Sequence, residues 1–173
     1  KIIKRICKEN NVKFYDRPRH LLGDDIVQDD FNYDFLKNFE CENMILVNSV
    51  SPLIEGKDID NAINYFEKNS LDSLISVRDE KYQAFFEGKP LNFSVNGKLP
   101  KTQDLSAISL CSWNICIWNR NKFLNHYEKN GYAVFVGNYS LYKINNLKSL
   151  KISNEEDFQL ADYIISSKNL NAK

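Results

Sequence analysis

At 173 residues, with 43% hydrophobic side chains, the chain has the material for one domain around a packed core. Its 23 acidic and 23 basic residues cancel, which excludes the broad cationic face expected of a nucleic-acid-binding protein. No apolar run approaches the ~20 residues that a membrane helix needs, and no signal peptide is visible, so the expectation is a cytoplasmic protein without membrane contact.

The first element is helical: Ile2, Ile3, Ile6 and Cys7 recur at helical spacing, so residues 1–8 read as the end of an amphipathic helix. Asn10 and Asn11 stop it, because Asn tolerates the left-handed conformation of helix C-termini. Residues 12–15 read as a short strand closed by Asp16-Arg17-Pro18. The charged and aromatic stretch 24–39 ends in a helix with Phe31, Phe35, Leu36 and Phe39 on one side. Met44-Ile45-Leu46-Val47 is an unbroken apolar run, as expected of a strand buried on both faces of a parallel sheet. After Ser51-Pro52 a helix is predicted over 57–68, with Ile59, Ala62, Ile63 and Phe66 inward and Asp58 and Asp60 at its positive end. Leu74-Ile75-Ser76-Val77 is the next strand.

Residues 81–109 break this rhythm. Phe85, Phe86 and Phe93 lie among Gly88, Pro90, Gly97 and Pro100, which predicts hairpins and loops outside the main sheet. A strand over 115–118 follows, then a helix over 122–129 ended by Asn130-Gly131, a strand over 133–136 and another over 139–144. Asn154-Glu155-Glu156-Asp157 starts a last helix, with Phe158, Leu160, Ala161, Ile164 and Ile165 as its buried side. Alternating strands and helices imply βαβ units in a mostly parallel sheet. Such a sheet seldom starts in mid-helix, so a strand and a loop are expected before Lys1. Four scattered cysteines without CxxC spacing and two distant histidines, His20 and His126, argue for reduced thiols and against zinc.

Three stretches, in order, are similar to the CMP-acylneuraminate synthetase (acylneuraminate cytidylyltransferase) family. Leu46-Val47-Asn48-Ser49-Val50-Ser51-Pro52-Leu53 resembles the LxQPTSPLR signature. Leu99-Pro100-Lys101-Thr102-Gln103-Asp104-Leu105 resembles an RxQDLP-type segment. Ile152-Ser153-Asn154-Glu155-Glu156-Asp157-Phe158-Gln159-Leu160-Ala161 resembles a DIDTxEDFxLAE ending, and Arg17-Pro18 stands where the family often carries Arg-Pro. The resemblance implies a single three-layer α/β nucleotide-diphospho-sugar transferase-like domain over 1–173, N-terminally incomplete. It implies a mostly parallel sheet with 81–109 as a protruding dimerisation element. It also implies transfer of CMP from CTP to a nonulosonic acid, with Mg²⁺ as cofactor, in a homodimer serving surface-glycan synthesis.

Site residues carry over one by one. Asn48 ends a strand where open α/β sheets bind ligands, and keeps the amide of the family's Gln; it reads equally as an Asn bonding its own loop. Ser51 shapes the turn into the helix. Gln103 and Asp104 match a Gln-Asp pair, with Lys101 as a nearby point charge, or are ordinary loop polars. Trp113 and Asn114 fall where the family has Asn-Gly, so Trp113 crowds a pocket, stacks on a ligand, or packs in the core. Several positions depart. Ile54 replaces an Arg, Lys151 and Ser153 replace two Asp implied in holding Mg²⁺, and the six glycines never form the GxG or GxxG of a phosphate loop. Asp157 keeps its family position, which helix N-terminal stabilisation explains. The chain by itself is therefore expected to be inactive. A non-catalytic relative binding a sugar, nucleotide or subunit, and a nucleotidyltransferase with another acceptor, are the competing expectations.

Overall fold

The computed structural model describes residues 2–171, with side chains described as far as residue 167. Helix α1 (Ile2–Glu9) stops at Asn11, whose φ of 54° is the left-handed conformation expected there; Lys1 lies outside the described residues. Helix α2 (Gln28–Asn38) precedes strand β1 (Asn43–Val47), helix α3 (Gly56–Lys68) and strand β2 (Ser73–Glu80). Two-residue strands β3 (Phe85–Phe86) and β4 (Lys89–Pro90) form a separate small hairpin. Strand β5 (Ile108–Asn119), helix α4 (Arg120–Asn130), strand β6 (Tyr139–Lys143) and helix α5 (Glu155–Asn171) complete the order.

The main sheet runs β1-β5-β2-β6. Strands β1, β2 and β6 point the same way, as a mostly parallel sheet requires, while β5 is inserted antiparallel between β1 and β2. Side-chain alternation then serves both faces of the sheet. Ile75, Cys116 and Trp118 meet Leu36 of α2 and Phe123 of α4 on one face. Leu74, Ile115 and Ile117 meet Ala62 and Phe66 of α3 on the other. The result is three layers, and each fully buried Leu, Ile or Phe contributes roughly 2 kcal/mol to holding them together.

Several sequence expectations change. Residues 12–15 form no strand; Tyr15 instead bonds Asp34 and sets its ring edge-on to Phe35 of α2 and to Phe39 just after it. Residues 133–136 form a turn, because the Asp29 carboxylate accepts from the N–H groups of both Ala133 and Val134. β1 is not buried on both faces: among the described residues it pairs only with β5, and Ile45 and Val47 are 39% and 41% exposed. Helix α5 starts as expected, with Asn154 Oδ1 accepting from Asp157 N at 2.8 Å. Its apolar side is barely covered, however: Ala161 is buried, whereas Phe158, Leu160 and Ile165 are exposed.

Beyond Val77, β2 and the start of β5 continue as a two-stranded arm, Arg78 against Leu110 and Glu80 against Ile108, past the last β6 partner, Lys143. Residues 81–107 hang on this arm; the hairpin and loop stretch expected over 81–109 ends sooner, because β5 begins at Ile108 rather than at 115. Asn92 clasps them, its Nδ2 donating to the carbonyls of Tyr82 and Ser106 and its Oδ1 accepting from Ala84 N–H.

Candidate functional site

The arm leaves the sheet at a break in β5. Ile75 pairs with Cys116, yet Val77 pairs with Cys111, so two steps along β2 match five along β5 and residues 112–115 bulge out. Ser76 holds the bulge from beneath: its Oγ accepts from the Ile115 N–H and from the Ser112 hydroxyl, each at 3.1 Å. At the crest Trp113 takes φ of 57°, a conformation that costs a non-glycine residue about 1 kcal/mol or more. Its ring rests edge-on to Phe135, 6.1 Å between centroids.

The bulge meets the carboxyl end of β1. Asn48 N donates to the Asn114 carbonyl at 2.9 Å, and the buried Asn114 Nδ2 donates to the buried Ser51 Oγ at 2.8 Å. Asn48 Oδ1 accepts from Val50 N–H at 3.3 Å, which leaves Nδ2 as the part of that amide able to donate to a ligand. Asn114 Oδ1 is buried without a hydrogen-bond donor. Four of the residues singled out in the sequence, Asn48, Ser51, Trp113 and Asn114, therefore come together. Lys101, Gln103 and Asp104 do not join them: they are exposed in or beside a 3₁₀ turn over Thr102–Asp104, held by the Lys81 amine on the Gln103 carbonyl.

Trp113 walls two open clefts. One, about 320 Å³, is lined by Arg17, Gln28, Phe31, Asn48, Ser49 and Trp113, with the Arg17 guanidinium 4.5 Å above the Phe31 ring. The other, about 360 Å³, is lined by Arg78, Cys111, Ser112, Ser149, Lys151 and Asp157 among others. Sequence reasoning noted Arg17 but missed Gln28, Phe31 and Arg78. Arg78 carried a usable signal, as the first charged residue after an apolar strand, where α/β sheets take ligands.

Magnesium does not suit this donor set. Lys151 brings a positive charge, and Ser153 offers its N–H to Asp157 Oδ2 at 2.9 Å, so that carboxylate serves the start of α5. No group of three or more His, Cys, Asp or Glu capable of holding a metal occurs among the described residues.

No family model matches the chain. It is 26% identical to the post-translational flagellin modification protein B of Campylobacter coli, over 99% of this chain and 76% of that protein. It is 25% identical to the N-acylneuraminate cytidylyltransferase of Streptococcus agalactiae serotype V, over 91% of this chain but 38% of that protein. Among solved structures, the fold matches 4-diphosphocytidyl-2C-methyl-D-erythritol synthase from Anaerococcus prevotii with a TM-score of 0.61 and 13% identity, over 95% of this chain and 76% of that one. It matches the bifunctional IspDF of Campylobacter jejuni with the same TM-score, 0.61, at 13% identity, over 91% of this chain and 39% of that one. The chain is thus similar in sequence, at about a quarter identity, to N-acylneuraminate cytidylyltransferases, and it shares the fold of the 4-diphosphocytidyl-2C-methyl-D-erythritol synthase structure.

Proposed function

We propose that this chain provides the acceptor side of a cytidylyltransferase that transfers CMP from CTP to a nonulosonic acid and releases pyrophosphate. The observation that carries the reading is the junction of the β1 end with the β5 bulge, where Asn48, Ser51, Trp113 and Asn114 converge beside two clefts. In this reading the Asn48 amide and the Arg17 guanidinium orient hydroxyl and anionic groups of the bound substrates. Trp113 separates the two clefts and limits the acceptors that fit. Catalysis of this type consists mainly of positioning and of neutralising charge on the leaving phosphates. The exposed Tyr82, Phe85, Phe86 and Leu99 of the 81–107 segment support a second copy of the chain as partner.

The test is pyrophosphate release by the gene product containing this chain, given CTP and a panel of nonulosonic acids. Release that depends on one acid is expected, whereas residues 1–173 alone are expected to release none. A folded gene product that releases no pyrophosphate with any acid overturns the reading in favour of a non-catalytic binding relative or a different acceptor.

A further inference from the structure

The cleft between the arm and the segment before α5 brings two cationic side chains together. Its two cationic side chains come from different elements, Arg78 from the start of the arm and Lys151 from the loop after β6. That loop is fixed: Ile152 N donates to the Val50 carbonyl at 2.9 Å, tying the residue next to Lys151 onto the Asn48–Ser51 turn. Two carboxylates stand beside these cations. Glu80 lies 3.4 Å from Arg78 Nε, which leaves the guanidinium's terminal nitrogens as donors, and Asp157 accepts from the Ser153 N–H. Ser112, whose hydroxyl donates to Ser76, forms part of the cleft wall, and Trp113 closes the side toward Asn48.

We infer that this cleft is an anion site, in which Lys151 and Arg78 bind clustered phosphate or carboxylate oxygens directly, without an intervening metal ion. A guanidinium presents paired N–H groups to such oxygens, and an ammonium supplies a compact charge beside it. The inference rests on the cytidylyltransferase reading only for the source of the anion: the pyrophosphate end of the nucleotide or the carboxylate of the acceptor.

Calorimetric titration of the chain with inorganic pyrophosphate in EDTA tests it. One saturable site is expected, weakened about tenfold or more by Lys151→Ala and by Arg78→Ala. Lys151→Arg is expected to retain binding, which separates lost charge from lost fold. Cys111 lines the same cleft, so bound pyrophosphate is also expected to slow its alkylation. Displacement of pyrophosphate by CTP assigns the site to phosphates, and displacement by a nonulosonic acid alone assigns it to the carboxylate; either supports an anion site. Absence of saturable binding in EDTA, or affinity unchanged in both alanine variants, overturns it. None of these outcomes depends on turnover, so the site can stand if CMP transfer fails, and can fall if transfer is observed.

Discussion

Gly137 and Gly88 show how differently two left-handed residues are constrained. A Cβ at Gly88 would meet nothing within 4 Å, so Gly88→Ala carries only the conformational penalty at φ of 77°, about 1 kcal/mol. At Gly137 a Cβ would lie 2.1 Å from Asp72 Oδ2 and 2.7 Å from Asp72 Cβ. Asp72 is held there because its carboxylate accepts from Asn138 N at 2.9 Å. Gly137→Ala is therefore expected to cost roughly 2–4 kcal/mol, by adding a displaced hydrogen bond to the backbone term. Urea unfolding of the two variants checks this, and equal losses would mean that Asp72 moves aside freely. The thiols differ in a similar way. Burial pushes the Cys116 thiol up to about 12, whereas Cys111, on the same strand, is exposed. At pH 8 iodoacetamide is expected to modify Cys111 and spare Cys116 in the folded protein, because only the thiolate attacks. Peptide mass spectrometry reads this directly, and comparable labelling at both positions would contradict the packed core.

At the scale of elements, the β5 bulge depends on one side chain of β2. Ser76→Ala leaves the buried Ile115 N–H without its acceptor, at a cost of about 1–3 kcal/mol. The same change frees the Ser112 side of the anion cleft, so pyrophosphate binding is expected to weaken along with thermal stability. A loss of stability with unchanged binding would show that the bulge holds its shape without Ser76. Ser112-Trp113-Asn114 reads in the sequence as an ordinary strand entry, because nothing local marks where the ladder to β2 is broken. The start of α5 was legible, since a capping Asn and three carboxylates act within one turn. Its buried side was misread: periodicity marks an apolar face, but only packing decides whether anything covers it.

For the molecule as a whole, two phenols bonded to carboxylates of α2 make stability depend on alkaline pH. Tyr127 of α4 donates to Asp30 of α2 at 2.5 Å, and this bond, with burial, pushes its hydroxyl up to about 12. Burial and the bond to Asp34 raise Tyr15 to about 12 as well. A free phenol titrates near 10. Both folded values are raised, so the contribution is complete below pH 10 and is lost as pH rises from about 10 toward 12. The melting temperature is expected to fall across that window in the unmodified chain and less steeply in Tyr127→Phe; identical slopes would remove the Asp30 bond from the account. The arm makes a separate prediction. Phe85 and Phe86 are 57% and 63% exposed, so replacing both with Ser is expected to shift a sedimenting dimer toward monomer without lowering the melting temperature. A unmodified chain that sediments as a monomer would refute the arm as a dimer contact.

What the sequence determined by itself were the features set within a few residues. Helix starts and stops at Asn11, Gly131 and Asn154, the order of the helices and of the strands that do form in the main sheet, the excursion after Glu80 and the family likeness all rest on local chemistry and spacing. Tertiary structure alone decided that β5 runs against its neighbours, that residues 12–15 and 133–136 stay out of the sheet, and that Arg78 and Lys151 share a cleft. The physical reason is range. A cap or a turn closes its hydrogen bonds within four or five residues, whereas strand direction, the bulge over Ser76 and the meeting of two distant cations depend on partners tens of residues away.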